Sequence, residues 1–493
     1  MSGHTKTIIR DLGAILQVPG AMALCSLPVC LVFAEHYAVW PLALTSAVSF
    51  GFGQTLLRMC RSAAPMRVSH AMVTAALAWV LVPLLGAVPI VLISARLPDA
   101  VTGAVLADGW NAVFESMSGF TSTGLTMVNS PSELPHSLQW WRSLSQWVGG
   151  IGIVVLTVSI FHPSEDTRRL YFAEVGQAGP PADISAVARE ISWVYAVYTL
   201  LAIVALRVSG LSSWQAINYG MAGIATGGFG IDDTSMADFA IGSQLVMLVV
   251  VIAGAISFSV HRRLLASGAF AVLWKDSEVR ALVALIGVGA GLLAAENRWS
   301  GSGSSGLDAL FQWTSALTTS GFSTQAVQPW SASAKVLMCL AMTCGGAAGA
   351  TTGGLRLRRV IGLVHAARVR VSGVAQHPWR LAGHKPIADA REVHHAARQV
   401  EASLTLLVLW VVAAACGTVL LLHAAGPGAR LDDALFEASS ALNNVGLTAG
   451  ITSPELPDFG KLGLIILMYV GRLEIVPVLV LGAALLRTPG RRR

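Results

Sequence analysis

Charge is what this chain lacks most. Of its 493 residues only 12% are Asp, Glu, Lys or Arg, against about 25% in soluble domains, while 54% are hydrophobic. So few charges cannot bound enough water-soluble core to hide that apolar surface, and the composition defines an integral membrane protein. Metal-ligand spacing is lacking too: Cys25, Cys30, Cys60, Cys339, Cys344 and Cys416 lie in or beside apolar runs and read as small core residues. No phosphorylation or ATP-binding motif occurs, so the chain is not expected to be an enzyme, and any ATP-driven activity would need a catalytic partner.

Apolar runs long enough to cross a bilayer, which takes about 20 residues, begin near Leu12, Val39, Ala71, Leu138, Ile191, Gln244, Val279, Ala334, Leu404 and Leu462. Ten spans are therefore expected. The run after Lys6 and Arg10 resembles a signal peptide but is long and without a good small-residue cleavage site, so it counts as the first span. A formal net charge of +6 would admit a nucleic-acid surface, but the basic residues instead fall in alternate connections: Arg58 to Arg67, Arg168-Arg169, His261 to Arg263, Arg356 to Arg370 and Arg491 to Arg493. The other connections carry acids, among them Asp99, Asp108, Glu133, Asp232, Asp233, Asp308, Asp432, Asp433 and Glu455. The positive-inside rule then places both termini in the cytoplasm, with no nucleic-acid partner. The outer acids read either as solvated loop residues or as a field drawing cations to a mouth.

Four stretches on the outer side are variants of one segment. They run from Ala112 to Thr121-Ser122-Thr123-Gly124, Ala216 to Ala225-Thr226-Gly227-Gly228, Ala309 to Thr318-Thr319-Ser320-Gly321 and Ala434 to Asn443-Asn444-Val445-Gly446, with one shared offset from alanine to closing glycine. About 12 residues of helix rise only about 18 Å, too little to span, so each segment must enter and return on the same side. Backbone that unwinds at membrane depth is tolerated only where protein or water satisfies it, so the loops are expected to line an internal cavity. Short helices entering from outside also point their partially negative C-terminal ends inward, which favours a cation. Asp308 and Asp433, at the starts of two such helices, suit the opposite end as caps or dipole partners.

The expected fold is an all-α integral membrane protein. Four pseudo-symmetric units of span, re-entrant pore loop and span surround one pore, after an N-terminal two-span unit. We place the boundaries at 1–67, then 68–170, 171–263, 264–375 and 376–493. Closing glycines can take positive φ and bring carbonyls inward without a side chain. With no carboxylate in the four tetrapeptides, calcium and magnesium are disfavoured, and uncharged oxygens suit a weakly hydrated monovalent ion.

The motifs Gly119-Phe120-Thr121-Ser122-Thr123-Gly124, Gln146-Trp147-Val148-Gly149-Gly150-Ile151-Gly152, Cys344 to Gly354 and Gly471-Arg472-Leu473-Glu474 resemble those of the membrane subunit of Trk potassium-uptake systems, in the superfamily that includes bacterial Ktr and plant HKT transporters. The resemblance runs over nearly the whole chain. It implies potassium as the transported ion, a filter made of the four tetrapeptides, a homodimer in the lipid of a bacterial inner membrane, and a cytoplasmic nucleotide-binding ring as regulatory partner. Four closing glycines go with potassium preference in that superfamily, whereas a serine in the first copy goes with sodium. Ala350, Thr352 and Arg356 depart from the family's usual serine, alanine and lysine, which leaves the gate less defined than the filter.

Gly345, Gly346, Gly349, Gly353 and Gly354, with Thr351 and Thr352, interrupt the second span of the third unit, and each glycine weakens a helix by about 1 kcal/mol. The segment is expected to unwind. By resemblance it is the gating loop 345–354, moved through the basic stretch Arg356 to Arg370; close helix packing through small residues is the alternative. Arg472 is a charge inside an apolar run. By resemblance it lies beneath the filter, where a charge about 4 Å from a passing ion opposes it by about 4 kcal/mol at an effective dielectric of 20; a structural ion pair with Glu115, Glu437 or another acid is the alternative. Glu115 and Glu437 share one position in their copies and are expected to brace the short helices. His377, His384, His394 and His395 read as a solvated or docking surface. A proton-coupled symporter, or the potassium-binding subunit of an ATP-driven pump, are the other functional readings; the first needs a titratable group on the ion path, and the tetrapeptides hold none.

Overall fold

The computed structural model describes residues 3–61, 68–97, 101–152, 184–375 and 390–486. Among the described residues all regular structure is helical. The chain opens with α1 (Gly3–Ile15), α2 (Val18–Val32) and α3 (His36–Met59), and Pro19 in the first turn of α2 marks the break after α1.

A pattern of long helix, 12-residue helix and return helix then occurs four times. The first pass is α4 (Val68–Ser94), a short connector α5 (Val101–Ala107), α6 (Gly109–Phe120) and α7 (His136–Ile151). The second is α8 (Ile184–Val208), α9 (Ser213–Ile224) and α10 (Ile241–Gly254), continued by α11 (Phe258–Ser267) and α12 (Ala271–Lys275). The third is α13 (Ser277–Ser300), α14 (Gly306–Leu317), α15 (Ala332–Cys344) and α16 (Leu357–Ala375). The fourth is α17 (Ala390–Ala425), α18 (Leu431–Leu442), α19 (Asp458–Arg472) and α20 (Val476–Leu486).

The short helices begin where their sequences supply caps. Asp108 accepts from the amides of Trp110 and Asn111, and Ser212 with Gln215 and Ser305 with Asp308 form capping boxes. Arg430 caps nothing with its side chain; Asp432 and Asp433 sit in the first turn of α18 instead.

Among the described residues the ten expected runs do not all form uninterrupted spans. Five helical stretches there are long and apolar enough to cross a membrane, Thr5–Val32, His70–Ser94, Val187–Val208, Ser277–Ser300 and Gln399–Ala425. Two more become so only as bent pairs, α10 with α11 at 104° and α19 with the helix after it at 110°. The apolar run near Ala334 yields only the short α15, that near Leu138 the 16-residue α7, and that near Val39 the 24-residue but polar-spotted α3. The reason is local. Each return helix meets a glycine-containing break, at Gly152, Gly254, Gly345 or Gly471, which a hydropathy sum does not register. Arg168, Arg169, His377, His384 and Arg491 to Arg493 lie outside the described residues, as do the side chains of His394 and His395.

Candidate functional site

All four short helices end in one way. The residue after the C-cap is left-handed in each copy, Ser122 at φ 53°, Thr226 at 48°, Thr319 at 52° and Asn444 at 52°. The next amide bonds back to a carbonyl five residues earlier, Thr123 to Ser118, Gly227 to Ala222, Ser320 to Ser315 and Val445 to Ser440. This is the Schellman termination, which normally places glycine at the left-handed position. Non-glycine residues there carry about 1–3 kcal/mol of strain, most of all the β-branched threonines. Their side chains explain why they are kept. Ser122 donates to Gln146 O, Asn444 donates to Thr123 Oγ1 and Met468 O, the Thr226 hydroxyl meets that of Thr351 at 3.1 Å, and Thr319 Oγ1 accepts from the Gly353 amide.

The closing glycines then bring the copies together. A methyl on Gly124 would strike the carbonyl of Gly227, one on Gly228 that of Ser320, one on Gly321 that of Val445, and one on Gly446 that of Thr123. The contacts run from first to second to third to fourth and back to first. The four turns therefore stand around one centre, each packed against the carbonyl that precedes its neighbour's glycine. All four glycines have positive φ, 96°, 81°, 74° and 96° in chain order, so any other residue is excluded twice, by backbone and by space.

One position, a turn and a half before each helix end, ties the short helix to the strand that leaves the ring. Buried Glu115 accepts from Thr126 Oγ1 and the Met127 amide, and Glu437 from Thr448 Oγ1 and the amides of Ala449 and Thr452. In the other two copies Tyr219 donates to Ser235 O and Gln312 to Gln325 O. Bracing by Glu115 and Glu437 is thus observed. Arg142, 2% exposed and missed in the sequence, pairs with Glu115 at 2.7 Å and donates to Gly230 O. Gln146, quoted only as part of a motif, donates to Gly227 O and accepts from the Phe229 amide.

Below the ring, α15 stops at Cys344 and residues 345–356 form a loop in which Gly345, Gly349 and Gly354 take positive φ. The loop is pinned from three sides. Thr351 Oγ1 donates to Ile224 O and Gly254 O, the Ala347 amide to Ala255 O, and Gly349 O accepts from the Phe258 amide. Gly353 lies against Asn443 O, and Gly346 O accepts from the Leu357 amide. Close packing of small residues between unbroken helices does not describe this segment; it is a hydrogen-bonded loop that interrupts the helix.

Arg472 reaches the same place. It donates to Thr351 O at 3.1 Å and to the carbonyls of Gly149 and Gly150, with its guanidinium 5.2 Å from the Trp79 ring centre. Glu115 is taken by Arg142, so the ion-pair alternative with that residue falls. Of the two helix-start aspartates, Asp308 caps α14 as expected, whereas Asp433 holds the buried Lys335 at 2.5 Å and so ties α15 to α18. Its neighbour Asp432 lies 3.3 Å from Lys335 and pairs with Arg430.

A buried ring of glycine-ended turns, each closing a short helix and underlain by an interrupted apolar run, belongs to an all-helical protein with several helices apolar enough to cross a membrane. The chain belongs to the TrkH family: the family model described as a cation transport protein matches residues 42–489. An uncharacterized cation transporter of Methanocaldococcus jannaschii is 30% identical over 482 residues, covering 97% of this chain and 95% of the relative. The Trk system potassium uptake protein TrkH of Halomonas elongata is 27% identical over 493 residues, 97% of this chain and 98% of its own. The crystal structure of the potassium transporter TrkH from Vibrio parahaemolyticus superposes with a TM-score of 0.82 at 26% identity, covering 98% of this chain and 99% of that one.

Proposed function

We propose that the chain takes up potassium across a bacterial inner membrane, with both termini cytoplasmic and the ion itself as substrate. The observation that carries this is the closed ring of Gly124, Gly228, Gly321 and Gly446 against their neighbours' carbonyls. Uncharged carbonyl and hydroxyl oxygens replace the water of a weakly hydrated ion, while the strongly hydrated divalent cations need carboxylates that the ring lacks. The filter consists of the tetrapeptides 121–124, 225–228, 318–321 and 443–446. The four-unit division set out above goes with it. Relatives named for potassium uptake support the choice of ion.

In this reading loop 345–354, with Gly345, Gly346, Gly349, Thr351, Gly353 and Gly354, is the gate. Arg472 closes it from below, both by charge and by its bond to Thr351 O. A cytoplasmic nucleotide-binding ring moves the gate through α16, and the chain works as a homodimer in lipid. The test is rubidium uptake into liposomes holding the purified chain. Unlabelled potassium should suppress it far more than equal sodium or lithium, and equal suppression by sodium would remove the potassium assignment. Uptake against the rubidium gradient on imposing a proton gradient alone would establish the symporter instead.

A further inference from the structure

Besides the hydrogen bonds that pin the loop against its neighbours, two carboxylates hold it from the side of α16. Glu278, in the first turn of α13 and 8% exposed, accepts from the Ala348 amide at 2.7 Å through one oxygen and from Arg358 Nε at 2.8 Å through the other. One carboxylate therefore grips the loop backbone and α16 together. Glu474, in the break between α19 and α20, pairs with Arg356 at 2.6 Å and Arg359 at 2.5 Å. Two residues before it, Arg472 holds Thr351 O.

Arg356, Arg358 and Arg359 crowd the N-terminal end of α16, where a helix dipole repels cations. That arrangement is unfavourable without the two acids. The backbone is also forced at the same points: Arg356, Glu474 and the β-branched Ile475 are left-handed at φ 68°, 58° and 64°. Strained, like-charged segments held by cross-element ion pairs relax when the pairs part.

We propose that Glu278 and Glu474 are positioning residues of the gate, which latch loop 345–354 in place by holding α16 through Arg356, Arg358 and Arg359. The proposal rests on the reading of that loop as a gate. A pull on α16 separates Arg358 from Glu278, frees Glu278 to release the Ala348 amide, and withdraws the cations that fix Glu474 beside Arg472.

The experiment uses the full-length chain, without partner, in detergent for hydrogen exchange and in liposomes for rubidium uptake. Glu278→Ala should speed amide exchange across 345–356 about tenfold, the loss expected for a hydrogen bond to a charged group, and raise initial uptake by a similar factor. Glu278→Gln keeps an acceptor for Ala348 and should show a smaller rise. Arg358→Gln, at a side chain 65% exposed, and Glu474→Gln carry the test if Glu278→Ala does not fold. Potassium preference over sodium should stay unchanged in every variant, which separates a latch from general loosening. Unchanged exchange in folded variants overturns the latch, as does faster exchange with uptake at or below wild type. Failure of the wild type to move rubidium under any condition would instead sink the functional reading, with exchange still deciding whether Glu278 holds the loop.

Discussion

Arg472 acts at a single residue in two separable ways. In the proposed function its charge opposes a cation beneath the ring, and its forked guanidinium joins Thr351 O of the loop to the carbonyls of Gly149 and Gly150 at the end of α7. Lysine keeps the charge but lacks the rigid fork that satisfies such separated acceptors at once. Arg472→Ala should therefore raise rubidium influx several-fold in liposomes, and Arg472→Lys should fall between alanine and wild type. Lysine equal to wild type would leave only the charge at work. At this scale the sequence was readable where a residue repeats. Glu115 and Glu437 share a register, and both brace their helices. Glu278 and Lys335 were not readable, because their partners Arg358 and Asp433 lie 80 and 98 residues away and belong to no repeat.

Among elements, the helices that return from the ring differ most from their apolar patterns. Hydropathy reports how much of a run prefers lipid, whereas Gly254 and Gly471 decide where it turns, since a methyl on either would strike the last carbonyl of the neighbouring short helix, Ile224 O or Leu442 O. The length and closing glycine of the short helices were legible because they sit within one repeated local segment, whereas the caps at Asp108, Ser212 and Ser305 were not singled out and Asp433 holds Lys335 instead of capping α18. Between elements, Lys335 of α15 is clasped by Asp432 and Asp433 of α18. The hydrogen bond from Arg430, helped by Lys335, holds the Asp432 carboxyl below the usual carboxylate range despite its partial burial. A folded value below the unfolded one means the stabilisation is complete above the ordinary carboxylate range and is lost as pH falls through the lowered value. Thermal unfolding of the wild type should accordingly lose stability on acidification in that acid window. Asp432→Asn should begin less stable at neutral pH and show a shallower acid dependence; identical pH profiles would show that the clasp contributes nothing.

For the whole molecule, the ring exists only when the chain is complete, since the first and last copies meet across it: Asn444 donates to Thr123 Oγ1 over a separation of 321 residues. Each glycine presses on the next copy, so a side chain introduced at one position displaces the strand that positions the following one. Gly124→Ser meets Gly227 O and Gly228 Cα, and Gly228→Ser meets Ser320 O and Gly321 Cα, while neither Gly124 nor Gly321 is among the nearest contacts of the other. Substitutions in direct contact couple most strongly, whereas Gly124 and Gly321 meet only through Gly228 and Gly446 and should couple more weakly. Gly124→Ser alone should weaken rubidium preference over sodium. The pair Gly124→Ser with Gly228→Ser should depart from the sum of the single effects, by more than the pair Gly124→Ser with Gly321→Ser. Both pairs are compared as logarithms of the sodium-to-rubidium uptake ratio in liposomes. Equal additivity for the two pairs would mean that each copy sets its own oxygens independently, and selectivity would then belong to four separate turns instead of to the ring they close.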